Sequence, residues 1–230
     1  MAMPIIAAFN SKGGSAKSTA LITLGDALAR RNATVSIIDT DPQRTIANWR
    51  EKAVNSAIRV VEETNSANIH RLIREETARS TWVFIDMAGF TSDMRTPIIS
   101  KADLVIIPMQ PSPEDARLAA AAFAYIATDE ETLGRPIERR VLWARTTPNF
   151  VTRVERKIRD EVEENDIPAF KTHLHERSAY KAMMVGTTLS ELDPEEYNGI
   201  DKAIINADLL AAEMIEAVME IQARKKEQAA

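Results

Sequence analysis

The chain contains no cysteine. That excludes a disulfide framework, a cysteine-held zinc or iron–sulfur centre and a thiol nucleophile, and it makes the cytoplasm the expected compartment. No positively charged segment followed by an apolar core opens the sequence, so no secretory signal is read. No apolar run approaches the roughly 20 residues that a bilayer-spanning helix needs. Internal repeats and low-complexity linkers are also missing. The formal net charge is −5, which argues against a surface coated in basic residues but leaves room for a local basic patch. With 230 residues and an ordinary apolar fraction, the chain can bury a sizeable core.

What is present is concentrated near the N-terminus. The apolar run Pro4–Phe9 is followed by Asn10–Thr19, reading NSKGGSAKST, and then by Ala20–Leu24. Strand, glycine turn and helix in that order form the context of a phosphate-binding loop. Gly13 and Gly14 let backbone N–H groups approach a polyphosphate, and Ser15, Ala16 and Thr19 complete the loop. The helix starting near Lys17 adds its positive dipole end. Lys17 is placed to reach the β- and γ-phosphates, and the Ser18 hydroxyl to ligate Mg²⁺. Ala16 stands where the usual pattern has glycine. An ordinary φ is expected there; a positive one would cost about 1 kcal/mol or more.

Further along, strands alternate with helices, which predicts a doubly wound, mostly parallel α/β sheet with helices on both faces, in one domain over residues 1–230. Thr34–Asp39 and Trp82–Asp86 are strand-like runs that end in acids. Carboxylates at strand tips beside a phosphate loop suit Mg²⁺ and water positioning, which nominates Asp39, Asp41 and Asp86. The plainer alternative for Asp39–Gln43 is an acidic turn with Asp41 capping a helix. Trp49 is read as packing. Ala102–Pro108 forms another buried strand before a proline-stiffened loop and a helix over 113–128. Arg139–Arg145 and Ala169–Thr172 are read as the last strands, 92–101, 151–165 and 176–185 as helices, and about 200–226 as a C-terminal helix. Its stripe of Ile204, Ile205, Leu209, Leu210, Met214, Ile215, Val218 and Ile221 is expected to pack on the sheet. The polar end of that helix argues against membrane attachment.

Lys12 before the glycine pair, the DTDPQ string and LVIIPMQPSPED together resemble the ParA/MinD superfamily of deviant Walker A ATPases, nearest the short ParF type of plasmid partition protein. The resemblance spans roughly Pro4–Leu192 and implies a P-loop NTPase using ATP and Mg²⁺. It implies that Lys12 crosses a dimer interface to the partner's nucleotide, that Asp41 orients the attacking water and that Asp39 lies close to the metal. It further implies that Gly89 offers a backbone N–H toward the γ-phosphate, and that Arg145 and Thr146 contact adenine. The first strand starts at Pro4, so the short form without an N-terminal DNA-binding domain is expected. In that family an ATP-bound homodimer binds nonspecific DNA on the nucleoid, and a ParB- or ParG-like centromere-binding protein stimulates hydrolysis. Arg153, Arg156, Lys157, Arg177 and Lys181 are the candidate DNA contacts. Alternatives are a VirC1-like or microcompartment-positioning ATPase, and an ATP-binding module without turnover.

Overall fold

Valine and isoleucine runs bounded by polar turns dictate the sheet, and the computed structural model describes residues 3–89 and 93–228. The chain runs β1 (Ile5–Ala8), α1 (Lys17–Ala29), β2 (Val35–Asp39), α2 (Thr45–Lys52), β3 (Arg59–Glu62) and α3 (Ser66–Thr77). It continues with β4 (Trp82–Asp86), α4 (Arg95–Ile99), β5 (Leu104–Met109), α5 (Pro113–Leu133) and β6 (Arg139–Thr146). Last come α6 (Arg153–Glu164), β7 (Leu174–His175), α7 (Ser178–Met183), a 3₁₀ turn at Leu189–Glu191 and α8 (Ile200–Gln228). The start of the helix expected at Ser92 lies outside the described residues.

The seven strands are ordered β3-β2-β4-β1-β5-β6-β7, and every pairing is parallel. This is the doubly wound sheet that the alternation of elements predicted. β1 and β4 are neighbours whose following crossovers leave in opposite directions, to β2 and to β5. A crevice opens at such a point at the strands' C-terminal ends. Two apolar layers cover the sheet. Leu21, Leu24, Trp49, Tyr180, Leu210 and Met214 represent the layer under α1, α2, α7 and α8. Ile73, Ile98, Ala122, Ile126 and Ile158 represent the layer under α3, α4, α5 and α6.

Three expectations are corrected. Ala169–Thr172 is not a strand; only a single bridge joins Ala169 to Val141, and the pairing resumes at β7. The Lys171 and Thr172 N–H groups donate instead to the Glu213 carboxylate of α8, at 2.7 and 2.8 Å. α5 continues past residue 128 to Leu133, because Asp129 is buried against Arg95 and Thr96 of α4, and Gly134 at φ 63° ends the helix in a left-handed turn. On α8 the buried face is built from Ala203, Ala207, Ala211 and Ala217 as well as Leu210, Met214, Val218 and Ile221. Small residues let α8 approach α1 closely, and this rotates Ile205 and Leu209 outward, each more than half exposed.

Candidate functional site

The loop between β1 and α1 is shaped by two left-handed residues. Gly14 has φ 75°, which glycine accepts without cost. Ala16 has φ 73° and ψ 20°, so the ordinary φ expected from the sequence is wrong and this alanine carries backbone strain. Among the described residues a Cβ on Gly13 or Gly14 would meet no atom within 4 Å, which leaves both backbones open to a ligand. α1 begins at Lys17 with no side-chain cap and no acid in its first turn. Its dipole end is met by no acid of its own first turn, whereas α5 and α6 carry Ser112 and Thr152 caps and acids in their first turns. The buried Ser11 and Ser15 hydroxyls have no hydrogen-bond partner among the described residues.

Lys17 is buried under this loop. Its ammonium donates to the Asn10 and Lys12 carbonyls at 3.2 and 3.4 Å. Asn10, which carried no sequence signal, is fully buried and fixes the loop. Its side-chain amide donates to the Pro108 carbonyl at 2.7 Å, and its Oδ1 accepts the Lys12 N–H.

The acids divide their work. The Ser18 hydroxyl donates to Asp86 Oδ2 at 2.6 Å, while Asp86 Oδ1 is buried without a partner among the described residues. Burial pushes the Asp86 carboxyl up to about 7; the Ser18 hydrogen bond and the Lys17 charge oppose this, and Asp39 and Asp41 reinforce it. A buried, half-satisfied carboxylate beside a serine hydroxyl fits one edge of a magnesium shell. Among the described residues no three acids or histidines converge, so the ion would depend on phosphate oxygens and water for its remaining ligands.

Asp39 is placed differently. Its Oδ2 accepts the Ile46 and Ala47 N–H groups, both at 3.0 Å, and its Oδ1 accepts the Asp41 N–H. It caps α2, a role the sequence reading had offered to Asp41. Burial raises its pKa, and these three backbone donors hold it back. Thr40 ties the β2 tip to β4 through its hydroxyl, which donates to the Asp86 carbonyl at 2.7 Å. Asp41 lines a cavity of about 280 Å³ together with Gly13–Thr19, Gln43 and Thr45. Gly89 packs so closely that a Cβ would lie 3.2 Å from the Ser11 carbonyl oxygen.

Lys12 points toward the start of α5. Its ammonium lies 3.3 Å from Asp115 Oδ2 and 3.6 Å from Glu114 Oε2. Asp115 is buried, accepts the Ser112 hydroxyl at 2.6 Å and keeps Oδ1 without a partner among the described residues.

A second cavity of about 400 Å³ adjoins the loop. Arg145, His175, Arg177, Tyr180 and Met184 line it with Ala16. Arg145 reaches it from a left-handed residue, at φ 53°. Thr146 does not line it; it is buried beneath, with its hydroxyl 2.9 Å from His175 Nδ1. Arg177 and Lys181 line this cavity as well, and Lys181 is paired with Glu176. They therefore lie on the α7 side, whereas Arg153, Arg156 and Lys157 are exposed on α6, which packs on the other layer. The five basic residues do not share one face. The spacing of His175, Tyr180 and Met184 carried no signal, because the irregular stretch before them hides which way they point.

The family model described as "VirC1 protein" matches residues 3–219. The chain is 30% identical over 220 residues to Protein ParA of Rhizobium radiobacter, covering 95% of this chain and 99% of that protein. Protein virC1 of the same organism is 28% identical over 187 residues, covering 79% of this chain and 80% of that protein. Among solved structures, the ATP complex of a Cyanothece McdA variant shares the fold, with a TM-score of 0.67 at 17% identity, covering 96% of this chain and 97% of that one. The chain belongs to the VirC1 family, within the ParA-type P-loop ATPases.

Proposed function

We propose that this chain is an ATPase that dimerises around two Mg²⁺·ATP molecules and, as that dimer, binds DNA without sequence preference for partition of a replicon. The observation that carries the nucleotide reading is the Ser18–Asp86 pair: a buried carboxylate oxygen with no partner among the described residues, beside a hydroxyl, at the mouth of an uncapped helix. Bound there, magnesium would neutralise charge on the transferring phosphoryl group. Lys17 would exchange its two carbonyl partners for phosphate oxygens. Lys12 would leave Asp115 and Glu114 to reach the partner's nucleotide. Asp41, at the rim of the loop cavity, would orient the attacking water. The base would occupy the cavity beside Arg145 and Tyr180, with Thr146 supporting its floor through His175.

For DNA, α6 is the better surface, because Arg177 and Lys181 are committed to the nucleotide side. Three cations per subunit, doubled in a dimer, give a slope of about −5 for log K against log salt. The match to the VirC1 family favours a second reading, in which the same chemistry positions a transfer complex rather than a plasmid; a genetically adjacent partner protein would decide. Filter binding to random DNA with ATP, with ADP and with Lys17→Ala tests the clamp. Retention is expected with ATP alone, and equal retention in all three would overturn it. Phosphate release, with and without DNA, separates turnover from mere nucleotide binding.

A further inference from the structure

Trp49 is 2% exposed, which alone says only that it packs. Its indole N–H has a more specific use. It donates to the Met183 carbonyl at 2.9 Å and to the Thr187 carbonyl at 3.1 Å. Those carbonyls belong to the end of α7 and the turn that follows it. The two helices joined in this way serve opposite ends of the site. α2 starts on the Asp39 carboxylate, and the Asp39–Gln43 segment, with Asp41 at the loop cavity, leads directly into it. α7 walls the second cavity, and the neighbouring Met184 lines both cavities.

A second contact holds the same joint. Gly186 has φ +126°, and a Cβ there would lie 2.3 Å from Lys52 Cβ at the end of α2. The turn after α7 is therefore pressed onto α2 with no room for a side chain. One turn of α2 presents Trp49 and Lys52 to this turn, three residues apart on one helix face.

We propose that Trp49 is a positioning residue that makes α2 and the end of α7 one body, so that filling the second cavity sets the position of Asp41 over the phosphate end. The proposal rests on the nucleotide reading above and adds to it that the base is sensed at the phosphate end. A nucleotide with a base should therefore be processed differently from the same polyphosphate without one, and the difference should pass through the indole N–H.

Trp49→Phe keeps the ring burial and removes the donor. Phosphate release is measured at saturation with ATP and with ribose 5-triphosphate, which lacks the base. The wild-type chain is expected to turn over ATP at least tenfold faster. In Trp49→Phe the ratio should fall toward one through kcat, with KM for ATP within about threefold of wild type and the melting temperature within a few degrees. Gly186→Ala, which forces the turn off α2, should shift the ratio in the same direction and serves if Trp49→Phe does not fold. Hydrogen exchange of residues 40–47 with ADP and with ribose 5-diphosphate carries the comparison without turnover. Base-dependent protection is expected in the wild type and its loss in the variants. A folded Trp49→Phe with an unchanged ratio and unchanged base-dependent protection would overturn the coupling, as would a wild-type chain whose protection ignores the base. If the wild type shows that protection yet releases no phosphate, the ATPase reading fails while the coupling stands.

Discussion

Replacing Asp86 with asparagine should remove a loss of stability that the nucleotide-free protein suffers as pH rises, while abolishing its response to Mg²⁺·ATP. The carboxyl is buried, and its pKa rises from 3.8 in the unfolded chain to about 7 on folding. A carboxyl whose pKa is raised by folding holds its proton more tightly in the folded state, so stability falls as pH climbs from the unfolded value through the folded one. Over that window, at about 1.36 kcal/mol per unit, the loss is on the order of 4 kcal/mol. Asparagine cannot ionise, so its own cost, a buried amide at the place of the partnerless Oδ1, is the same at every pH. The quantity to follow is therefore the difference between the two proteins, measured by urea unfolding between pH 4 and pH 8 in chelator without nucleotide. The difference should move in favour of Asp86→Asn by roughly 3 to 5 kcal/mol across the window. Saturating Mg²⁺·ATP at pH 7.5 should raise the wild type and leave the variant nearly unchanged. Parallel curves across the whole range would refute the dry, half-satisfied carboxylate and the magnesium edge built on it.

Ala16→Gly removes a left-handed alanine, and the relief, less the extra freedom glycine has when unfolded, should be about 1 kcal/mol, or a rise of roughly 2–4 °C in melting temperature. A differential scan would show it, and a lower melting temperature would contradict the backbone geometry of the loop. Lys12→Ala should leave ATP affinity within about threefold in calorimetry, because its ammonium sits on Asp115 and Glu114 rather than in the loop cavity. The same variant should fail to dimerise with ATP in light scattering, and an ATP dimer as stable as wild type would remove the lysine from the interface.

The readable parts of this chain were those where one residue type has one use. Glycine pair, lysine and serine between a strand and a helix announce their chemistry locally, and apolar runs ending in Asp39 and Asp86 announce strand tips. What escaped depends on contacts between distant segments. The strain at Ala16 follows from the path the loop must take to aim its N–H groups, which no neighbouring residue encodes. Asn10 anchors the loop to β5 through the Pro108 carbonyl, and Asp115 meets the loop through Lys12, both across long stretches of sequence. The assignment of Arg177 and Lys181 to the cavity depends on where β7 resumes, and that is decided by Glu213 of α8 withdrawing the Lys171 and Thr172 amides. Asp39 and Asp86 look alike in sequence because both end apolar strands; only the α2 amides distinguish a carboxylate that caps a helix from one left half-satisfied.

Calorimetric titration of ATP into the purified chain, with magnesium and with chelator, and repeated for Lys17→Ala and Ser18→Ala, probes the site most directly. Saturable binding by the wild type that weakens at least tenfold in chelator, disappears in Lys17→Ala and loses its magnesium dependence in Ser18→Ala is the predicted result. Binding of equal strength in all six conditions, or none in the wild type, would contradict it.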